Sequence, residues 1–364
     1  MRGSIRSEIL ENIPMSILLV PFIAIRYAGD YHPAALIFGL AFFVVYAAVI
    51  YGYAGGQSGR LHNYGSDIAT SGYRIVDMCV DAGKLGRFLM VVYIIRFMIR
   101  AGFAVYVVSL LVNNMVSFWF AAVSFILICM YGASGSFANR RVQGNILIWW
   151  MLTPLILLAV FSLSRMDYGG IAGEFRIMDI SLADGNVFRT AWRILAVMSS
   201  FELVLFSFGR TRKNERRQGM DIIRVAVWLG VSVVLAYVYV LGMLGSRYVE
   251  SGIRISFGNK LDYVLALAWL IGGFFVISSY IFYVKEMLRT LMDDENYVNN
   301  QPNVQSIYSR SLMYGLIFAV TLFFVCCFHY DSVRQYMISW LIYADVVLSL
   351  LLPFVISLKC RMKH

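Results

Sequence analysis

The sequence predicts an all-α polytopic membrane protein of about ten transmembrane helices, arranged as two inverted five-helix repeats in which helices one and six are broken. Three observations lead there. Hydrophobic residues make up 60% of the 364-residue chain and charged residues only 14%, against about 25% charged in a typical soluble domain. Mean hydropathy is +0.71, and long apolar stretches recur from one end to the other. Those stretches are continuous, whereas the strands of a membrane barrel alternate apolar and polar residues over about ten positions.

In chain order the apolar runs place spans near residues 13–28, 33–54, 86–112, 116–132, 143–163, 190–208, 222–244, 261–288, 306–328 and 334–358. A helix needs roughly twenty apolar residues to cross the hydrocarbon core, so the first run is short. Between spans two and three, LHNYGSDIATSGYRIVDMCVDAG mixes apolar and charged residues at helical spacing, which predicts a helix lying along the membrane surface. The N-terminus has no small-residue cleavage site after its apolar run and reads as retained.

Loop charge sets the orientation. With the N-terminus inside, the inner loops hold Arg140 and Arg141, then Arg210, Arg212, Lys213, Arg216 and Arg217, and the tail holds Lys359, Arg361 and Lys363. The loop after span five, SRMDYGGIAGEFRIMDISLADGN, is rich in Asp and Glu. The positive-inside rule then puts both termini in the cytoplasm. Ten spans split into one repeat over about residues 1–165 and a second over about 187–358, within a single transmembrane domain. An odd number of helices per half forces the halves into opposite orientations, and the first helix of each half should be discontinuous. NIPMSILLVPF in span one and AVMSSFELVLFSF in span six have the small or helix-breaking residues this needs.

Glu202 is the only charged residue between Arg193 and Arg210. An ionisable group inside a membrane costs about 2.5–3.5 kcal/mol on insertion scales, so it persists where something pairs or uses it. Two readings follow: a Glu that ties helices together, or a member of a central binding site. Ser199 and Ser200 before it have the composition of an N-cap, from which a new half-helix would present free N–H groups to an anion. In span one, Pro14 suits a first helical turn, leaving Met15, Ser16 and Ile17 as open donors; a Pro-kinked span without a ligand is the alternative. Span three carries Arg96 and Arg100 one turn apart, on a face shared with Tyr93. Either they point inward and pair with Glu202, leaving one positive charge for a ligand carboxylate, or they snorkel to the headgroups. In span eight, Gly272, Gly273, Ser278 and Ser279 read first as close helix packing, and second as a Ser278 hydroxyl lining a cavity.

No catalytic residue, cofactor site or metal site is predicted. The four histidines are scattered over span boundaries and termini, and no phosphate-binding loop, nucleophile elbow or zinc-binding helix is present. The protein is therefore not expected to be an enzyme. The five cysteines lack zinc-type spacing and read as packing residues. The net charge of +10 gathers in short loops, and no nucleic-acid partner is needed to explain it.

Three segments resemble the B subunit of the bacterial spore germinant receptors, a branch of the amino acid–polyamine–organocation transporter superfamily. ENIPMSILLVPFIAIRYAGDYHPAALIFG is similar to that family's first two spans. ILAVMSSFELVLFSFGRTRKNE is similar to its sixth span, and NKLDYVLALAWLIGGFFVISSYIFYVKEML to its seventh loop and eighth span, with Lys260 and Asp262 in place of an Arg-x-Glu pair. The resemblance implies a pocket between spans one, three, six and eight that senses a small nutrient, most often an amino acid, in the spore inner membrane. It also implies A and lipoprotein C subunits as partners. Carried over by position, the pocket would be lined by Met15, Ser16, Tyr93, Arg96, Arg100, Ser199, Ser200, Phe201, Glu202 and Ser278. The chain departs from the family in two places. Its span-one break reads Ile13-Pro14-Met15-Ser16 where a glycine is usual, and the arginines of span three occupy a stretch that is mostly apolar in the family. A secondary transporter for amino acids or a related solute is the alternative function.

Overall fold

A computed structural model describes residues 33–55, 74–113, 116–135, 137–163, 168–169, 185–207, 215–244, 261–293 and 305–362. Span one, with Pro14, Met15 and Ser16, lies outside the described residues, as do residues 61–73 of the surface segment. The described residues are helical throughout apart from short turns: α1 (Pro33–Gly55), α2 (Arg74–Asp81), α3 (Lys84–Val112), α4 (Phe118–Ser134), α5 (Phe137–Leu163), α6 (Gly185–Met198), a 3₁₀ turn (Ser199–Leu203), α7 (Val204–Ser207), α8 (Glu215–Leu244), α9 (Leu261–Asp293), α10 (Gln305–His329), α11 (Asp331–Ile342) and α12 (Ala344–Met362).

Among the described residues four helices are long and apolar enough to cross a membrane: Ala34–Tyr53, Lys84–Leu110, Leu270–Met292 and Ser311–His329. The pair Asp331–Ile342 and Ala344–Lys359 makes a fifth if taken as one bent span. Burial supports the same conclusion from the opposite side. Val44, Phe120, Trp150, Leu312 and Phe323 are exposed, while Arg96, Arg140, Glu202 and Asp345 are buried. Large apolar side chains outside and charges inside invert the pattern of a water-soluble core. They suit a chain whose surroundings are hydrocarbon, where only paired or satisfied charges persist. The protein is an integral membrane protein of helical class.

The chain divides into two compact units, one of Met1–Val49, Arg141–Phe201 and Asp221–Gly273, the other of Ile50–Arg140, Glu202–Met220 and Phe274–His364. In the first, α1 meets α6 closely because Gly39 has no side chain: a Cβ there would lie 2.8 Å from Ile194 Cγ2 and 3.2 Å from the Ala191 carbonyl oxygen. Phe38 packs on Phe188 at 5.0 Å between ring centroids, and Phe43 meets Phe201 edge-on at 5.5 Å.

In the second unit α3 is central and packs against α2, α4, α10 and α12. Gly83, at φ +66°, makes the turn between α2 and α3, a backbone region that L side chains avoid. Only α2 of the expected surface helix is described, and its Ile75, Val76, Met78 and Cys79 are buried. Gly102 on α3 admits α10, since a Cβ there would lie 2.6 Å from Phe324 Cβ. Gly132 on α4 faces the Phe274 ring of α9 in the same way, 2.6 Å from its Cζ.

Three expectations are corrected. Span ten is not one helix: it bends by 41° at Tyr343, with neither Pro nor Gly at the bend. Arg140 is not a loop residue: it sits in the first turn of α5 and is buried, so its charge drops out of the inner-loop tally. The break in span six begins at Ser199, and the expected cap is not made by Ser200, whose hydroxyl has no partner among the described residues. Ser199 Oγ instead donates back to the Ala196 carbonyl at 2.7 Å, a contact that bends helices. The Tyr46 hydroxyl donates to the Ser199 carbonyl at 3.0 Å, competing for an acceptor that a continuous helix gives to the N–H four residues on.

A buried ring of four charges as candidate functional site

Arg96 and Arg100 extend from the middle of α3 toward two carboxylates on different elements. Glu202 belongs to the 3₁₀ turn of span six and Asp345 to the first turn of α12, just past the bend of span ten. Arg96 serves both. Its Nη1 donates to Glu202 Oε2 at 2.9 Å and its Nε to Asp345 Oδ1 at 2.5 Å. Arg100 Nε donates to Asp345 Oδ2 at 2.6 Å, and its Nη2 is ion-paired with the same oxygen. Arg100 Nη1 approaches Glu202 Oε1 at 3.4 Å, which closes the ring. Two positive and two negative groups leave no formal net charge.

All four side chains are 5% exposed or less. Burying charges to this degree costs several kcal/mol per ion, and only close geometry with further hydrogen bonds offsets it. The geometry is uneven around the ring. Both Asp345 oxygens accept hydrogen bonds, whereas Glu202 Oε1 accepts none among the described residues. Arg96 Nη2 stands 2.7 Å from that oxygen, so the contact is coulombic but misaligned for a hydrogen bond. The Glu202 corner is the looser one.

Aromatic rings form the wall. Tyr93 lies with its ring centroid 5.7 Å from the Arg96 guanidinium carbon, within the range of cation–π attraction. It meets Phe206 of α7 edge-on at 5.4 Å, and Phe97 packs on Phe206 at 5.1 Å and on Tyr280 at 5.4 Å. These large buried rings keep the surroundings of the charges apolar, which strengthens each ion pair and raises the cost of breaking one.

The structure therefore brings together Tyr93, Arg96, Arg100 and Glu202, and adds Asp345. Of the two readings of the arginines it supports the inward one, paired with Glu202, and it corrects one detail of that reading. The arginines do not snorkel, because both are buried. No arginine is left over for a ligand carboxylate, because Asp345 supplies the second counter-charge. Ser278 is engaged elsewhere: it donates to the Phe275 carbonyl at 3.0 Å and accepts from Arg140 Nη1 at 3.3 Å. Ser199, Ser200 and Phe201 are buried in the other unit, where the Ser200 hydroxyl has no partner among the described residues. Met15 and Ser16 lie outside the described residues.

Sequence reasoning missed Asp345, although the signal was the one that singled out Glu202: it is the only charged residue between Arg334 and Lys359. A second charged site was also missed. Arg140 donates to Ser279 Oγ at 2.5 Å and to the Phe275 carbonyl at 3.4 Å, with the rings of Phe275 and Phe282 5.0 and 5.1 Å from its guanidinium carbon. One turn and a half further along α9, Lys285 donates to the Ala133 and Gly135 carbonyls at 3.0 and 3.3 Å. It thereby satisfies the C-terminal end of α4, where a cation also complements the helix dipole. Among the described residues no group of three or more His, Cys, Asp or Glu side chains is placed to hold a metal ion. No protein-family model matches the chain, and no curated protein matches it.

Proposed function

We propose that the protein is a membrane receptor subunit that senses a small zwitterionic nutrient, an amino acid above all, and binds it without transforming it. Its ten spans form two inverted five-helix repeats with spans one and six broken, and both termini face the cytoplasm. The observation that carries this reading is that the 3₁₀ turn breaking span six contains Glu202, the loose corner of the charge ring. A ring without net charge matches a ligand without net charge. The ammonium group of an amino acid would donate to Glu202 Oε1, and its carboxylate would take a guanidinium contact in exchange, so the buried site stays balanced throughout. From the resemblance come the setting and the partners: the inner membrane of a spore, with A and lipoprotein C subunits.

A secondary transporter is the second reading, favoured by a buried carboxylate at a helix break, which is where proton relays in transporters are found. The test is reconstitution of the purified chain with a panel of labelled amino acids, recording binding and uptake together. The receptor reading expects saturable binding without uptake, lost in Glu202→Gln. Uptake that fails in Glu202→Gln replaces it with the transporter. Neither binding nor uptake, with or without partner subunits, leaves the ring as a structural tie and removes both readings.

A further inference from the structure

The two carboxylates of the ring share an unusual placement. Each sits where a helix is interrupted: Glu202 in the 3₁₀ turn Ser199–Leu203, and Asp345 one residue into α12 after the 41° bend at Tyr343. Their common partner, α3, is an uninterrupted helix of 29 residues. Among the described residues Arg96 alone makes a hydrogen bond to each carboxylate, through different nitrogens of one planar group. A guanidinium is rigid and its donors point in fixed directions. Nη1 cannot follow a displaced Glu202 without tilting Nε away from Asp345 Oδ1. Arg100 differs, for it hydrogen-bonds Asp345 and only approaches Glu202, at 3.4 Å.

We propose that Arg96 couples the break of span six to the bend of span ten, so that the two interrupted segments loosen and shift as a unit against α3. The coupling is a property of the protein alone and does not depend on what, if anything, the ring binds. Without it the interrupted segments would be two independent weak points. With it, a disturbance at either one is felt at the other through a single planar group. Packed interiors respond to such disturbances by switching between discrete arrangements more than by graded strain.

The test is amide hydrogen exchange on the full chain in lipid nanodiscs, followed over Glu202–Ser207 and over Ala344–Ser349. Glu202→Asp keeps the charge but shortens the arm. It should raise exchange by about tenfold in Ala344–Ser349 as well as in its own segment. Arg96→Lys keeps the charge but replaces the planar fork with a point donor, and should raise exchange in both segments together. Arg100→Lys should raise it mainly in Ala344–Ser349. Exchange over Ile222–Leu235, in the other unit, should stay at the wild-type rate and so separate local coupling from general loosening. If Glu202→Asp and Arg96→Lys leave the distant segment unchanged, the coupling does not exist. If Glu202→Asp yields no folded protein, the two arginine variants decide: indistinguishable patterns from Arg96→Lys and Arg100→Lys overturn the assignment of Arg96 as the bridge.

Discussion

Asp345 is the residue on which the ring's balance turns. Its two oxygens take hydrogen bonds from both arginines, so removing it leaves a buried guanidinium without its counter-charge. Asp345→Ala should cost about 3–5 kcal/mol of stability, the usual penalty for stranding one partner of a buried pair. Replacing Arg100 and Asp345 together by leucine should cost clearly less than the two single changes added, because no charge is stranded. Denaturant unfolding of the three variants in detergent measures both. At this scale the sequence was informative about charges and silent about their pairing. Arg96, Arg100 and Glu202 stand out because ionisable groups are rare inside apolar runs. That the fourth member comes from the last span, 143 positions beyond Glu202, follows only from how the helices assemble. Arg140 shows the opposite failure: beside Arg141, and at the edge of an apolar run, it looks like a loop charge, yet α9 offers it two hydroxyls, a carbonyl and two ring faces.

Helices in this protein meet through glycines whose environments differ, and the difference sets the sign of a substitution. Gly102 faces Phe324 Cβ, an atom fixed to the backbone of α10, whereas Gly315 on α10 has nothing within 4 Å of where a Cβ would stand. Gly102→Ala must push two helices apart and should destabilise by about 1–3 kcal/mol. Gly315→Ala should be neutral or stabilising by up to about 1 kcal/mol, from helix propensity. Thermal unfolding of the two variants side by side checks the contrast. The helices themselves were well legible, since continuous apolar runs leave little choice of secondary structure in lipid. Interruptions were legible only where composition marks them. The two serines mark the break of span six, where Ser199 Oγ back-bonds to the Ala196 carbonyl and Ser200 Oγ has no partner among the described residues. The bend at Tyr343 has no Pro, Gly or serine pair, and hydropathy reads straight through it.

For the molecule as a whole, an apolar exterior around paired charges supports an integral membrane protein, and orientation is the next question. The basic residues that the sequence leads one to expect on the inner side, once Arg140 is removed, are Arg141, the cluster from Arg210 to Arg217, and the tail. Both termini should therefore be cytoplasmic. A reporter fused after His364 should be active only in the cytoplasm, and a cysteine introduced at Asp179 should react with an impermeant maleimide added outside. The opposite labelling pattern would reverse the topology and, with it, the inverted-repeat arrangement. Whole-molecule architecture was the part least open to reading from residues, because it depends on a count of spans, and one miscounted segment changes the orientation of everything after it.

The neutrality of the ring has an electrical consequence. A membrane potential does about 2.3 kcal/mol of work per 100 mV on each elementary charge that crosses the field. Two guanidinium groups and two carboxylates displaced together contribute nothing, since their work cancels. As long as the ring moves intact, the interrupted segments of spans six and ten can shift in a polarised or a depolarised membrane at the same energetic cost. A motion that carries the two carboxylates relative to the arginines of α3 would let voltage enter.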